Sequence, residues 1–109
     1  MKIIYNSKII PLKGFRCTNL FGILFVRGNF PLMNSTINHE SIHTVQWKEL
    51  LYIGFLLWYC IEWLIRFIGN GLKGHEAYRN LSFEKEAYAN MNKPDYLTTR
   101  KPFCFVKYI

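Results

Sequence analysis

Cysteine is scarce in this sequence and placed unhelpfully for cross-linking. Cys17, Cys60 and Cys104 are odd in number, far apart and form no Cys-x-x-Cys pair. Neither a disulfide framework nor a thiolate metal site is indicated, so buried free thiols are expected. Aspartate occurs once, at Asp95, and residues 1–34 hold no acid at all. Internal repeats and low-complexity tracts are absent. The opening run Met1-Lys2-Ile3-Ile4-Tyr5-Asn6 turns polar too early for a secretory signal, which points to a cytoplasmic location. Nor does any one element concentrate the basic residues. The net charge is +7, yet residues 35–90 set six glutamates against five basic groups, and the excess lies at the two ends. Charge spread in this way reads as solubilising, and no nucleic-acid partner is expected.

Apolar bulk is what the chain has in abundance. Of its 109 residues, 50% are hydrophobic and 17% aromatic, which excludes intrinsic disorder and suits one domain over 1–109. A chain of this size buries only about two-thirds of its unfolded surface. Its aromatic excess must therefore pack very densely, or face a partner, a membrane or a cleft.

Along the chain, the β-branched runs 2–5 and 8–12 flank Asn6-Ser7 and read as a hairpin. Phe15–Thr18 and Leu20–Arg27 read as one or two further strands, ended by the breaker cluster Gly28-Asn29-Phe30-Pro31. Asn34-Ser35-Thr36 supplies N-cap candidates for a helix over about 36–50. A second helix, Leu50–Ile68, follows, with a bend expected at Gly54. A short helix over 75–80 leads to another over 83–91, capped by Ser82 or Asn80, with Glu84 and Glu86 in its first turn. Pro94 and Asp95 open a last turn, and the aromatic tail Phe103–Tyr108 is expected to dock on the core. The sum is an α+β fold, a small N-terminal β-sheet followed by helices.

Leu50–Ile68 is long enough for a bilayer and carries only Glu62 and Arg66 as charges. These two are i,i+4 partners, the spacing of a polar stripe on an amphipathic helix. A central core helix is the reading carried forward. Membrane contact through 50–68 and a dimer face stay open beside it.

The chemistry-bearing stretch is His39-Glu40-Ser41-Ile42-His43. Four residues are slightly more than one helical turn, so His39 and His43 project from one face and can share a Zn²⁺ ion. Glu40 lies about 100° round the helix, where its carboxylate can reach a metal-bound water as a general base without being a ligand. The ordinary alternative is a pair of histidines packing an amphipathic helix. The longer metzincin pattern is excluded, because Gln46 and Glu49 stand where it requires Gly and His. A third ligand must come from downstream, and His75, Glu76, Glu84 and Glu86 are the candidates, with Glu62 less suited.

Phe83-Glu84-Lys85-Glu86-Ala87-Tyr88-Ala89 resembles the second motif of gluzincin metallopeptidases, Glu-x-x-Ala followed by a polar residue. The resemblance implies that Glu84 is the third zinc ligand, and that the small Ala87 lets the two helices approach closely. Tyr88 departs from the pattern, since many members carry Asp there as partner of a zinc histidine. Glu86-Ala87-Tyr88-Ala89 fits the same motif, so Glu86 remains the alternative ligand. In size and element order the chain is similar to the minimal members, the minigluzincins. That implies a zincin-like fold: small sheet, active-site helix, long apolar helix, glutamate helix.

The resemblance implies a zinc-dependent peptidase acting on a peptide or protein substrate, held latent if the aromatic tail covers the site. The alternative is a non-catalytic zinc-binding interaction module, or a membrane-associated regulatory one. Leu20–Arg27 is either a substrate-binding edge strand or a central strand. Tyr78, Arg79 and Tyr88 are candidates to stabilise an oxyanion, or are plain packing and surface groups. Gln46 either orients His43 or faces solvent.

Overall fold

The computed structural model describes residues 2–7, 17–28, 32–69 and 71–109. Its sheet has three strands, β1 (Lys2–Ile4), β2 (Cys17–Leu20) and β3 (Ile23–Val26), in the order β1-β3-β2. β1 pairs in parallel with β3, Ile3 opposite Leu24, and β2 pairs antiparallel with it, Leu20 opposite Ile23. The second run of the expected hairpin, 8–12, lies outside the described residues. The apolar stretch Leu20–Arg27 is not one strand. It turns at Phe21-Gly22, both at positive φ (54° and 81°), the geometry of a two-residue hairpin. The Asn19 side chain holds the turn by accepting the Gly22 N–H at 3.1 Å. β3 is thus the middle strand, with Leu24 and Val26 fully buried, and β2 lies at the edge among the described strands.

Helices follow: α1 (Asn34–Glu49), α2 (Ile53–Gly69), α3 (Gly74–Arg79), α4 (Ser82–Asn90), α5 (Tyr96–Thr99) and a 3-10 turn, Cys104–Tyr108. The small α+β architecture expected from the sequence is present. The α1–α2 bend comes earlier than Gly54. It falls at Leu51 and Tyr52, which take left-handed φ of 56° and 63°, and the helices diverge by 110°. Two such residues without glycine are costly, so tertiary packing must hold them. Trp47 stacks on Phe55 across the bend, ring centroids 4.1 Å apart. Phe83 and Phe105 complete this buried cluster, to which the C-terminal tail contributes as expected.

Expected helix caps are replaced by longer-range ones. α1 and α4 start without side-chain caps of their own, from Met33 and Leu81. The α4 N-terminus is met instead by Glu62 of α2, which accepts from the Ser82 N–H at 2.8 Å and the Ser82 hydroxyl at 2.6 Å. A carboxylate there suits both the unpaired amides and the helix dipole. At the other end, the Asn38 amide donates to the carbonyls of Asn90 and Met91. α1 and α4 are so fixed side by side.

The α2 expectation is corrected. Only Phe55 and Glu62 are buried on this helix. The Glu62–Arg66 pair, 3.8 Å apart, faces inward rather than marking the solvent side. Most of the apolar residues point outward. The cause is Glu62's task at the α4 N-terminus, which turns the polar stripe toward the protein.

Candidate metal centre

α1 delivers His39, Glu40 and His43 to one buried place, and α4 brings Glu84 against them. The two Nε2 atoms are 3.1 Å apart. Glu84 Oε2 lies 2.8 Å from His43 Nε2, and Oε1 lies 3.4 Å from His39 Nε2. Donor atoms of the three residues all fall within 4.8 Å of one another, so His39, His43 and Glu84 could hold a metal ion. A tetrahedron with bonds of about 2.0–2.1 Å has edges of about 3.3 Å, close to these separations. Three buried polar atoms here, His39 Nδ1, Glu40 Oε2 and Glu84 Oε1, have no hydrogen-bonding partner. Such atoms are rare in a protein interior, and an ion with its water would engage the two carboxylate oxygens.

The other ligand candidates are engaged elsewhere. Glu86 is fully buried but binds Arg100, Tyr96 and Gln46. Glu62 caps α4, exposed Glu76 pairs weakly with Lys73, and His75 is exposed. Glu84 is the carboxylate that meets the histidines.

Gln46 orients His43. Its Nε2 donates to the Phe83 carbonyl (3.1 Å) and to Glu86 Oε1 (2.9 Å), so its Oε1 faces His43 Nδ1 at 2.7 Å. That fixes the proton on Nδ1 and aims Nε2 at the centre. Tyr88 follows the packing reading of the two that the sequence left open. Its ring meets that of His39 edge-to-face with centroids 4.5 Å apart, and the Arg79 guanidinium lies over it at 4.1 Å. Asn19 escaped notice in the sequence, though its spacing to Gly22 is a turn signal. Its amide donates to the Glu40 carbonyl and the Thr44 hydroxyl, tying β2 to the histidine helix beside Glu40.

A cleft of about 330 Å³ opens on the centre, lined by Glu40, His43 and Glu84, by β2 residues Cys17–Leu20, and by Phe55, Tyr59 and Tyr78. No described residue of the C-terminal segment lines it. The tail contributes Phe105 to the core. No family model matches the chain. No curated protein or solved structure matches it either.

The buried groups shift one another's protonation. Burial raises the Glu40 pKa, partly offset by His43 and His39, which moves this carboxylate toward the range of a general base. Burial likewise raises Tyr78, helped by the Glu84 charge, so its phenol stays protonated. Burial alone would lower His43, but the Glu84 charge and hydrogen bond outweigh it and raise the pKa to about 9. Glu84 is held well below the usual carboxylate range, its own burial being overcome by the two imidazoles.

These shifts give a pH dependence with a definite sign. In the metal-free protein the raised His43 contributes stability present below its ordinary 6.5 and lost as pH rises through about 9. The lowered Glu84 contributes above its ordinary 4.5 and loses this as pH falls. A metal at His43 Nε2 must displace a proton throughout the range below about 9. Apparent metal affinity should therefore rise about tenfold per pH unit toward that value and then level off. Competition with a chromophoric chelator from mildly acidic to alkaline pH checks this, and a flat profile would refute the protonated pair.

Proposed function

We propose that this protein is a zinc-dependent peptidase with a minimal zincin-like core, of the gluzincin type. The observation that carries the reading is the convergence of His39, His43 and Glu84 with the partnerless Glu40 oxygen in one open cleft. Two imidazoles and one carboxylate with room for a further ligand are the donor set of catalytic rather than structural zinc. Held by His39, His43 and Glu84, a zinc ion would supply Lewis acidity, which acidifies a water toward neutrality and polarises a peptide carbonyl. Glu40 would take the proton of the attacking water and return it to the leaving amine. β2, at the edge among the described strands and lining the cleft, offers backbone groups to an extended peptide. Of the three oxyanion candidates, Tyr78 is the one that lines the cleft, where its neutral phenol is hydrogen-bonded to Glu84 and would have to turn from it to meet an oxyanion. Arg79 and Tyr88 are occupied with each other.

Purified protein should contain about one equivalent of zinc, set by three protein ligands. Glu40→Gln should keep that zinc and lose peptidase activity by at least about a hundredfold. A zinc-loaded wild type that cleaves no member of a diverse peptide library would transfer the case to a non-catalytic metal-binding module. Absence of metal would sink both.

A further inference from the structure

α2 carries an outward stripe that the metal centre does not use. Ile53, Leu57, Ile61, Leu64, Ile65 and Ile68 are each more than half exposed and share one helical side. Leu51 and Leu72, at 80% and 65% exposure, extend the stripe at both ends. The inner side is committed, through Phe55 to the aromatic core and through Glu62 to α4. The exposed charge of the described residues is one-sided. Most glutamates are turned inward, so over this surface as a whole seven exposed Lys and Arg stand against two exposed Asp and Glu side chains, Glu76 and Asp95. Lys73 directly follows Leu72. Lys107 sits between exposed Val106 and Ile109, and Ile109 lines the same groove as Leu57, Ile61 and Ile65. Lys73, paired with Glu76 at 3.9 Å, and Lys107 are thus the basic groups next in sequence to exposed aliphatic residues of the strip and its groove.

We propose that the outer face of α2 docks in the plane of an anionic lipid leaflet, with Lys73 and Lys107 at the headgroups. A strip of seventeen residues is about 25 Å long, and an amphipathic helix buries its apolar side about 5–10 Å into the headgroup boundary. Spanning is a different matter: among the described residues, no single helix is long and apolar enough to cross a membrane. A span would also withdraw Phe55 and Glu62 from their partners. A second copy is the weaker occupant on charge grounds, because two chains of +7 repel, whereas anionic lipid attracts them. The aliphatic strip also offers no hydrogen-bonding side chain, while protein interfaces carry about one hydrogen bond per 100–200 Å². Phe55 and Tyr59 line the metal cleft from the other side of α2, so docking leaves the cleft open.

The test is co-sedimentation of the full chain with vesicles of phosphatidylcholine alone, and of phosphatidylcholine mixed with phosphatidylserine. Binding is expected to the mixed vesicles, much less to the neutral ones, and it should weaken as salt is raised. Ile61→Asp with Ile65→Asp should lower affinity at least about tenfold with an unchanged circular dichroism spectrum. Lys73→Gln and Lys107→Gln should each lower it about fivefold. Should the double aspartate variant not fold, the lysine variants and the salt series decide. The proposal is overturned by absence of binding, by equal binding to both vesicle types, or by a concentration-dependent dimer that Ile61→Asp dissolves without any vesicle binding.

Discussion

Glu84→Ala should lower metal affinity by more than about a hundredfold and leave the fold standing. Loss of an outlying partner of a metal ligand costs about 10–100-fold, so loss of a ligand must exceed that. Glu84 is the carboxylate that pairs with both imidazoles, at 2.8 Å and 3.4 Å. The fold survives because His43 loses the negative charge that keeps it protonated and becomes neutral, which a buried imidazole tolerates. Glu86→Gln is the informative comparison. Glu86 reaches the centre only through Gln46, so its loss should weaken the metal by roughly tenfold, the low end for outlying partners. Chelator competition on the two variants separates them, and equal losses would show that the ligand assignment is wrong.

Arg100→Ala should destabilise the protein by about 3–5 kcal/mol, a large part of the total for so small a chain. The guanidinium makes paired bonds to Glu49, at 2.9 Å and 2.7 Å, and also reaches both oxygens of Glu86. All three side chains are nearly inaccessible, at 3% for Arg100, 9% for Glu49 and 0% for Glu86. Removing the cation leaves two buried carboxylates facing each other. Adding Glu86→Gln to Arg100→Ala should recover part of the loss, because one of those charges is then gone. Acid should also narrow the gap. Burial alone would raise the Glu86 pKa, but bonds from Arg100, Tyr96 and Gln46 hold it below the ordinary 4.5. A lowered carboxylate pKa contributes stability that is lost as pH falls. The wild type therefore loses, in acid, the advantage that Arg100 confers. Urea unfolding of the two proteins at neutral pH and near pH 4 reads both effects. A loss under about 1 kcal/mol would mean the cluster behaves as a surface pair. The same network explains why trimming residues 100–109 should unfold the chain and not unmask its cleft.

What could be read in advance was whatever depends on neighbours in the chain. The His39–His43 spacing, the place of Glu40, the helix containing Glu84 and the α+β order follow from helical periodicity and breaker residues, and the structure has them. Gln46 belongs here too, one turn beyond His43. The α1–α2 bend was misplaced because glycine marks bends only when local propensity governs. Here Trp47 on Phe55 holds Leu51 and Tyr52 in left-handed backbone that neither residue prefers.

The sequence alone therefore determined that two imidazoles share one face of a helix, with Glu40 beside them, since His39 and His43 lie little more than one turn apart at 3.6 residues per turn. It did not determine which glutamate joins them. Glu84 and Glu86 are equally good in register, and tertiary contact sends one to the histidines and the other to Arg100. Nor did it determine which way α2 faces. An i,i+4 charge pair marks a polar side without saying what that side touches. Glu62 found the amide and hydroxyl of Ser82 at the start of α4, turned inward, and left the aliphatic residues outside.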